Sequence, residues 1–236
     1  MKFRWAALAC DYDGTLASGG HVAAATLAAL GKVRHSRRKL LLVTGRELPD
    51  LFRVCPFVEV FDRVVAENGA LIYDPASGKR RLLARRPSRK LVSALRARHV
   101  EPLSVGRAIV ATLRGQRRLV SQMIQELGLP LEIVLNKRSL MVLPQGINKA
   151  SGLLDALREI RVSPEDTVGV GDGENDQDFL AVCGYSAAVG NALPGLKRNV
   201  DVVMSASYGA GVTELVKGLL NGGEIRSAGT RPVRQG

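Results

Sequence analysis

The fold of this chain is most constrained by one short segment, CDYDGTL at residues 10–16. It follows an apolar run at 6–9 that predicts a short buried strand. Two carboxylates, Asp11 and Asp13, then stand where that strand ends, and Gly14 lets the backbone turn. Parallel-sheet enzymes place their chemistry at the carboxyl ends of strands, and neighbouring carboxylates repel unless a cation or a shared proton offsets the repulsion. The segment therefore predicts a parallel sheet with a magnesium site at its edge, although a plain Asp-Gly turn would use the same residues.

Three further polar clusters follow predicted strands or open predicted helices. They are Thr44-Gly45-Arg46 after the apolar run 40–43, Lys149 after LPQGIN at 143–148, and GDGEND at 171–176 after VGV at 168–170. A Thr hydroxyl beside the N–H groups of a helix start suits a phosphate oxygen, and a Lys adds a point charge where negative charge collects. The order along the chain is thus Asp pair, Thr, Lys, Asp pair.

In order and residue type, these four motifs resemble the haloacid dehalogenase (HAD) superfamily of phosphotransfer enzymes. Within it, the chain is similar to the Cof-type and sucrose-phosphate-phosphatase-like branch, which carries a type II cap inserted late. The resemblance covers about residues 5–220. It implies that Asp11 is a nucleophile that forms an aspartyl-phosphate, and that Asp13 protonates the leaving oxygen and then activates water. An Asp at the second position points to phosphatases and mutases of this family.

The same resemblance implies the remaining site residues. Magnesium would be held by the carboxylates of Asp11 and Asp172 and the backbone carbonyl of Asp13, with Asp176 as a direct or indirect partner. Phosphate would be bound by Thr44, Gly45, Lys149 and Asn175, with Lys149 also counted as catalytic. Arg46 either contacts substrate or is a surface residue at a helix start. Turn and helix-capping roles would account for residues 171–176 taken alone.

The alternation of apolar runs and amphipathic stretches predicts an α/β fold, a doubly wound, mainly parallel sheet, with an inserted α+β cap. Predicted strands are 5–10, 39–43, 62–66, 167–171, 186–189 and 201–204, and predicted helices are 21–34, 47–53, 149–160, 175–182, 194–198 and 211–220. The cap is predicted to contain strands 80–84, 107–113, 131–135 and 140–143 and helices 88–98 and 116–127. Residues 1–76 and 147–220 form the predicted core, 77–146 the cap, and 221–236 a flexible basic tail. Two strands at 64–73 are predicted to join through an Asn68-Gly69 turn.

The net charge of +12 is concentrated in one segment. Residues 79–118 hold thirteen Lys or Arg against a single acid, Glu101, so the rest of the chain is neutral. The segment could steer anionic substrate, form a solvated surface, or dock a nucleic acid or an acidic protein. It lacks the interleaved aromatic residues that stack on bases. The four motifs also argue against nucleic-acid binding as the main function.

These observations favour a magnesium-dependent phosphatase acting on a small phosphorylated metabolite, of the sugar phosphate or phosphoglycolate class, with Mg²⁺ as cofactor. A phosphomannomutase-like phosphotransferase remains open, because it shares the Asp pair and a similar cap. No apolar run approaches the ~18 residues of a membrane span, so no membrane partner is expected. Three scattered cysteines without a CxxC pair predict a reducing, cytoplasmic location. The oligomeric state is open.

Overall fold

Two β-sheets organise the chain in a computed structural model that describes residues 5–221. The strands are β1 (Ala7–Asp11), β2 (Lys39–Val43), β3 (Arg63–Ala66), β4 (Leu71–Tyr73), β5 (Arg80–Leu82), β6 (Ser104–Val105), β7 (Val110–Leu113), β8 (Leu131–Asn136), β9 (Ser139–Pro144), β10 (Thr167–Gly171), β11 (Tyr185–Ala188) and β12 (Val202–Val203). The helices are α1 (Ala24–His35), α2 (Leu48–Val54), α3 (Arg89–Ala97), α4 (Arg117–Glu126), α5 (Lys149–Glu159), α6 (Gln177–Val182), α7 (Pro194–Lys197) and α8 (Tyr208–Leu220). The predicted tail lies, apart from Asn221, outside the described residues.

The large sheet has the strand order β12-β11-β10-β1-β2-β3-β4-β5. All neighbours from β12 to β3 pair in parallel, whereas β4 and β5 are added antiparallel at one edge. The chain winds outward from β1 through β2 and β3, then returns to the other side of β1 through β10, β11 and β12. This confirms the predicted doubly wound sheet. The strand order reverses at β1, so a crevice is expected at the carboxyl end of that strand, where Asp11 is the last residue.

The central strands of the large sheet are buried throughout, because helices cover both faces. Every residue of β1 and β10 is buried, and their near-continuous apolar sequences match that environment. Helices α1 and α8 contact each other, while α5 packs against α6 and β3. Leu8, Leu42 and Leu153 are fully buried in the resulting core. Among residues 5–221, no helix is both long and apolar enough to cross a bilayer.

The small sheet has the order β6-β7-β9-β8 and is antiparallel throughout. Helices α3 and α4 pack against it. Leu91, Leu95 and Val120 of the helices and Leu140 of β9 belong to the separate core that results. Leu91 and Leu95 are fully buried, as the helical spacing predicts. Strand β8 is only half-buried along its whole length. This α+β unit lies between the Thr and Lys motifs, where the resemblance places a cap.

Two cap strands differ from their predicted positions. The strand expected at 80–84 is β5, which pairs with β4 in the large sheet, and Arg81 there bonds Glu159 of α5 at 2.8 Å. Residues 80–82 therefore lie with the large sheet, and the rest of the core and cap division stays a prediction. The strand expected at 107–113 begins only at Val110. The backbone N–H groups of 107–109 instead donate to the Glu67 carboxylate, so they cannot join a strand ladder.

The Asn68-Gly69 connection is wider than the predicted two-residue turn. Strands β3 and β4 do pair antiparallel, but their last pair is Ala66 with Leu71, which leaves a four-residue loop at 67–70. Glu67 and Asn68 both adopt left-handed backbone conformations, with φ of 50° and 55°. Their N–H groups donate to the carbonyls of Arg46 and Thr44 at 2.9 and 3.0 Å. These bonds to the loop after β2 hold the connection open.

Candidate active site

Three buried carboxylates converge at the carboxyl edge of the large sheet. Asp11 ends β1, Asp172 follows the neighbouring strand β10, and Asp176 lies in the single helical turn after it. One oxygen from each lies within 4.8 Å of the others. Burial, reinforced by the charge of Asp176, raises the pKa of Asp11 above its ordinary value, and burial likewise raises that of Asp172. The cluster is therefore stable in its charged form only beside positive groups.

Lys149 supplies the first of these positive groups. Its Nζ lies 2.5 Å from Asp11 Oδ1 and 2.6 Å from Asp176 Oδ1, with the side chain 1% exposed. Burial alone would lower the pKa of Lys149, but the two carboxylates raise it above its ordinary value. Lys149 is the first residue of α5, which begins there because the Asn148 side chain accepts from the N–H of Ser151 at 2.9 Å. The predicted phosphate ligand thus bridges two site carboxylates in this structure.

The GDG turn that presents Asp172 is held by Asp176. The Asp176 Oδ2 accepts from the N–H groups of Asp172 and Gly173 at 2.8 and 2.7 Å. Thr15 adds a hydroxyl that donates to Asp172 Oδ1 at 3.2 Å. Gly14 has a φ of +88°, and a Cβ there would lie 2.4 Å from Asp172 Oδ2. A glycine at that position therefore lets the two aspartate motifs meet.

Arg46 pairs with Asp13, a contact that the sequence did not reveal. Its Nε and Nη2 lie 2.7 Å from the two oxygens of Asp13, a bidentate fork, and its Nη1 also contacts Asp50. The hydrogen bond to Asp13 raises the pKa of Arg46 above its ordinary value. Thr44 follows Val43, which pairs in register with Asp11, and its Oγ1 accepts from the Arg46 N–H at 3.1 Å. Arg46 thus holds the carboxylate of Asp13 in place.

Two asparagines leave polar atoms unpaired beside the carboxylates. Asn175 Nδ2 donates to Asn68 Oδ1 at 2.8 Å. Within residues 5–221, the buried Asn175 Oδ1 and Asn68 Nδ2 have no hydrogen-bond partner. Buried polar atoms are nearly always satisfied, so unpaired ones in a cleft point to a ligand that completes them. The predicted site contains Asn175. Asn68 was expected as a turn residue, and the resemblance also implied that its Glu-Asn-Gly segment borders the active site.

A cleft of about 470 Å³ lies over these groups. It is lined by residues of the large unit, which is the large sheet with its helices, and of the small unit, which is the small sheet with α3 and α4. The large unit contributes Asp11, Asp13, Gly45, Arg46, Lys149 and Asn175, and the small unit contributes Ala111, Asn136, Lys137, Arg138, Ser139 and Met141. Lys137 reaches furthest, with its Nζ 2.5 Å from Asp172 Oδ2. The sequence predicts a hairpin turn at 136–139. The two adjacent cations in that turn are the signal that could have identified it as part of the site.

None of the thirteen Lys and Arg residues of the basic segment at 79–118 lines this cleft. Arg81 bonds Glu159 on the helix side of the large sheet, and Arg80 is exposed. The cations that do reach the cleft from the small unit are Lys137 and Arg138, outside the segment of highest charge density. Charge density along the sequence therefore does not locate the cleft.

The haloacid dehalogenase-like hydrolase family model matches residues 8–98 and 117–216. The chain belongs to this family. It is similar to the phosphoglycolate phosphatase of Haloarcula marismortui, with 28% identity over 218 residues that cover 89% of this chain and 95% of that protein. The prediction of a HAD-type phosphatase is thereby confirmed.

Solved structures of this family share the fold. A HAD/COF-like hydrolase from Plasmodium vivax superposes with a TM-score of 0.78 at 18% identity, over 93% of this chain and 96% of that one. A HAD subclass IIB sugar phosphatase gives a TM-score of 0.73 at 19% identity, over 93% and 99%. These matches confirm the predicted core with an inserted cap as a fold, and the roles of individual residues stay predictions.

The residues present fit a divalent metal of the hard, oxygen-binding kind. The clustered donors are all carboxylate oxygens, and the three negative charges of Asp11, Asp172 and Asp176 are only partly offset by the two cations Lys149 and Lys137. Such a donor set suits Mg²⁺, which prefers oxygen ligands. The Asp13 side chain is not part of this carboxylate cluster, and the expected role of its backbone carbonyl stays a prediction.

Proposed function

We propose that this protein is a Mg²⁺-dependent phosphatase that hydrolyses 2-phosphoglycolate or a closely related small phosphorylated acid. The observation that carries the proposal is the convergence of Asp11, Asp172 and Asp176 around Lys149, beside an Asp13 held by Arg46. The cleft volume of about 470 Å³ accommodates a small metabolite. The similarity to a phosphoglycolate phosphatase over most of both chains supports the substrate class.

The chemistry proceeds in two displacements on this chain's own groups. The Asp11 carboxylate attacks phosphorus, and the bond from phosphorus to the glycolate oxygen breaks as Asp13 gives that oxygen a proton. Glycolate leaves, and the phosphoryl group stays on Asp11. Asp13, now a carboxylate, takes a proton from water as the water oxygen attacks phosphorus. The bond from phosphorus to Asp11 then breaks, which releases inorganic phosphate and restores both groups.

The remaining residues hold and neutralise the reacting groups. Lys149 favours the charged form of Asp11 against the effect of burial, and it adds positive charge next to the phosphoryl oxygens. The Thr44 hydroxyl and the Gly45 N–H would offer hydrogen bonds to those oxygens, and Asn175 has an unpaired oxygen in the cleft lining. Asp11, Asp172 and Asp176, with the backbone carbonyl of Asp13, would hold Mg²⁺. That ion, when bound, would supply the charge that stabilises phosphoryl transfer.

Phosphate release from a panel of monoesters tests the proposal. The purified protein is assayed with Mg²⁺ on 2-phosphoglycolate, glucose 6-phosphate and p-nitrophenyl phosphate, then with EDTA, and then with Mg²⁺ restored. We expect inorganic phosphate from 2-phosphoglycolate at the highest kcat/KM, loss with EDTA, and recovery with Mg²⁺. Activity that survives chelation would contradict the metal, and a preference for glucose 6-phosphate would place the substrate in the sugar phosphate class instead.

The same assay separates a phosphatase from a phosphotransferase. A phosphomannomutase-like enzyme would move phosphate within a sugar phosphate and release little of it into solution. Measuring isomerised sugar phosphate beside inorganic phosphate distinguishes the two reactions, because only hydrolysis leaves free phosphate. Accumulation of the isomer without free phosphate would overturn the proposal.

A cytoplasmic location is part of the same proposal. Among the described residues, Cys10, Cys55 and Cys183 are all free thiols, and burial raises the pKa of each. Unpaired cysteines suit a reducing compartment. Fractionation of cells that express the protein, with a periplasmic marker as control, checks the location.

A further inference from the structure

The turn between β8 and β9 brings two adjacent cations to the cleft. Asn136 and Ser139 form the last pair of the hairpin, so Lys137 and Arg138 occupy its tip. Both line the same cleft as Asp11, together with Ser139. The tip is the part of the small unit that carries charge into the cleft, since Ala111 and Met141 are the small unit's apolar lining residues.

Hydrogen bonds connect this turn to the large unit. Lys137 has a φ of +51°, a left-handed conformation that costs energy for a residue with a Cβ. Its N–H donates to Glu174 Oε2 at 2.8 Å, and Arg114 Nη1 bonds both Glu174 Oε1 at 3.0 Å and the Lys137 carbonyl at 3.2 Å. Glu174 belongs to the GDGEND segment. The core's own acidic loop therefore anchors the cationic turn above the reacting groups.

The positive charge of the turn exceeds what the protein itself neutralises. Arg46 and Lys149 are each paired with site carboxylates. Within residues 5–221, the Arg138 guanidinium makes no hydrogen bond or ion pair, and the Lys137 side chain is 40% exposed with one acceptor, Asp172, for its three N–H donors. An anionic group of the ligand would accept hydrogen bonds from the remaining N–H donors of both side chains.

We infer that Lys137 and Arg138 form a subsite for the carboxylate of the substrate, and that they select phosphorylated acids over neutral phosphate monoesters. The inference rests on the proposed phosphatase function. An Arg guanidinium binds a carboxylate through two parallel N–H donors, and a charge-assisted bond of this kind is strong in a partly enclosed cleft. The phosphate group would bind beside Asp11, and the carboxylate would bind to Lys137 and Arg138 in the turn.

The test compares two monoesters that differ only in the acid. 2-Phosphoglycolate and 2-hydroxyethyl phosphate have the same length, but the second carries a neutral hydroxyl. We expect the wild-type protein to prefer 2-phosphoglycolate, and Arg138→Gln to lower its kcat/KM about 10- to 100-fold, the scale of one charge-assisted bond, chiefly through KM. The same variant should change 2-hydroxyethyl phosphate by less than about 3-fold, and Arg138→Lys should recover part of the loss.

Lys137→Met should also lower kcat/KM more for 2-phosphoglycolate than for 2-hydroxyethyl phosphate. It should in addition slow the hydrolysis of both substrates, since Lys137 also contacts Asp172. The control is Arg118→Gln, an exposed arginine of α4 that does not line the cleft, which should leave both substrates unchanged. Equal losses on both substrates in Arg138→Gln, or no loss, would overturn the subsite while leaving the phosphatase intact. Faster hydrolysis of a bisphosphate than of 2-phosphoglycolate would also overturn it. Failure of the wild-type protein to hydrolyse any monoester would instead reject the proposed function and the subsite with it.

Discussion

The large sheet and the small sheet are built for different tasks. Strand β1, which ends in Asp11, and strand β10, which leads into Asp172 and Asp176, are buried at every residue, whereas β8 is half-buried along its whole length. The groups expected to react therefore stand at the ends of fully buried strands, which position them. The groups expected to choose a substrate stand on a hairpin tip. We therefore expect the large unit to determine the reaction and the small unit to determine the substrate.

The contact between the two units is mainly polar. The small unit has its own apolar core around Leu95 and Val120, separate from the main core. A minor apolar cluster that includes Ala70 and Met141 lies between them. Most other links are hydrogen bonds, such as those from the backbone of 107–109 to Glu67. Polar links exchange readily with water, so we expect a small unit held in this way to open and close over the cleft.

The largest effect should come from Asp11, on which every substrate depends. Asp11→Asn removes the nucleophile, so kcat should fall on the order of 10⁴- to 10⁶-fold for all monoesters alike. Steady-state phosphate release measures this loss, and circular dichroism confirms the fold. Asp166→Asn, an exposed aspartate with no side-chain bond among the described residues, is the matched control. Substantial hydrolysis by the Asp11 variant would move the nucleophile elsewhere.

The next effect should come from Asp13 and depend on the leaving group. Asp13→Ala removes the proton donor, so kcat should fall roughly 10²- to 10⁴-fold on 2-phosphoglycolate. p-Nitrophenyl phosphate needs no protonation of its leaving group, so its first step should lose less. Burst kinetics on both substrates separate that step from water attack. If the first step slows equally for both, Asp13 is not the acid.

Truncation of the small core should unfold the small unit alone. Leu95 is fully buried in that core, so Leu95→Ala should destabilise it by about 2–5 kcal/mol. The only tryptophan, Trp5, is buried in the large core and reports on that unit by fluorescence, while circular dichroism reports on both. In urea, Leu95→Ala should shift part of the dichroism transition and leave the fluorescence in place. Leu153→Ala, in the large core, should shift both, and coincident shifts in Leu95→Ala would show one cooperative unit.

The smallest effect should come from the Glu67 contact between the units. The carboxylate of Glu67 accepts three N–H groups at 2.7–3.1 Å, and Glu67→Gln replaces one acceptor oxygen with a donor. The cost should be about 1–3 kcal/mol in the free energy of unfolding by urea. Faster proteolysis of the small unit should accompany it. Glu132→Gln on β8, a residue with no side-chain bond in the described chain, should change neither measurement.

Local signals predicted most of the elements. The apolar runs at 39–43 and 167–171 match β2 and β10, and the helix predicted at 149–160 ends one residue earlier. In these segments the apolar pattern agrees with the observed burial, and the Asn148 side chain marks the start of the helix. The predictions failed at 80–84 and 107–109, where a pairing with β4 and a carboxylate 40 residues away decide the structure. The partner of 107–109 lies outside any local window, whereas β4 is a near neighbour of β5 and only the choice between the two sheets was missed.

The contacts of the site also divide into those that local motifs predict and those that depend on packing. The motifs bring Asp11, Asp172, Asp176 and Lys149 together, because each follows a strand or begins a helix at one sheet edge. The pairing of Arg46 with Asp13 and the reach of Lys137 to Asp172 depend on side-chain geometry across loops. Those contacts require the packed structure, since the same residue types would serve equally well as exposed charges.

The loop at 67–70 has a consequence for chain length. Glu67 receives the backbone of the small unit, Asn68 bonds Asn175, and Gly69 approaches Asn148 so closely that a Cβ would lie 1.9 Å from its carbonyl oxygen. Because these three anchors are consecutive, an inserted residue would displace at least two of them. Loops generally tolerate insertions, and the exposed turn at 76–78 should do so. At 67–70 the number of residues itself is a structural requirement, and indels there should be excluded even where substitutions are accepted.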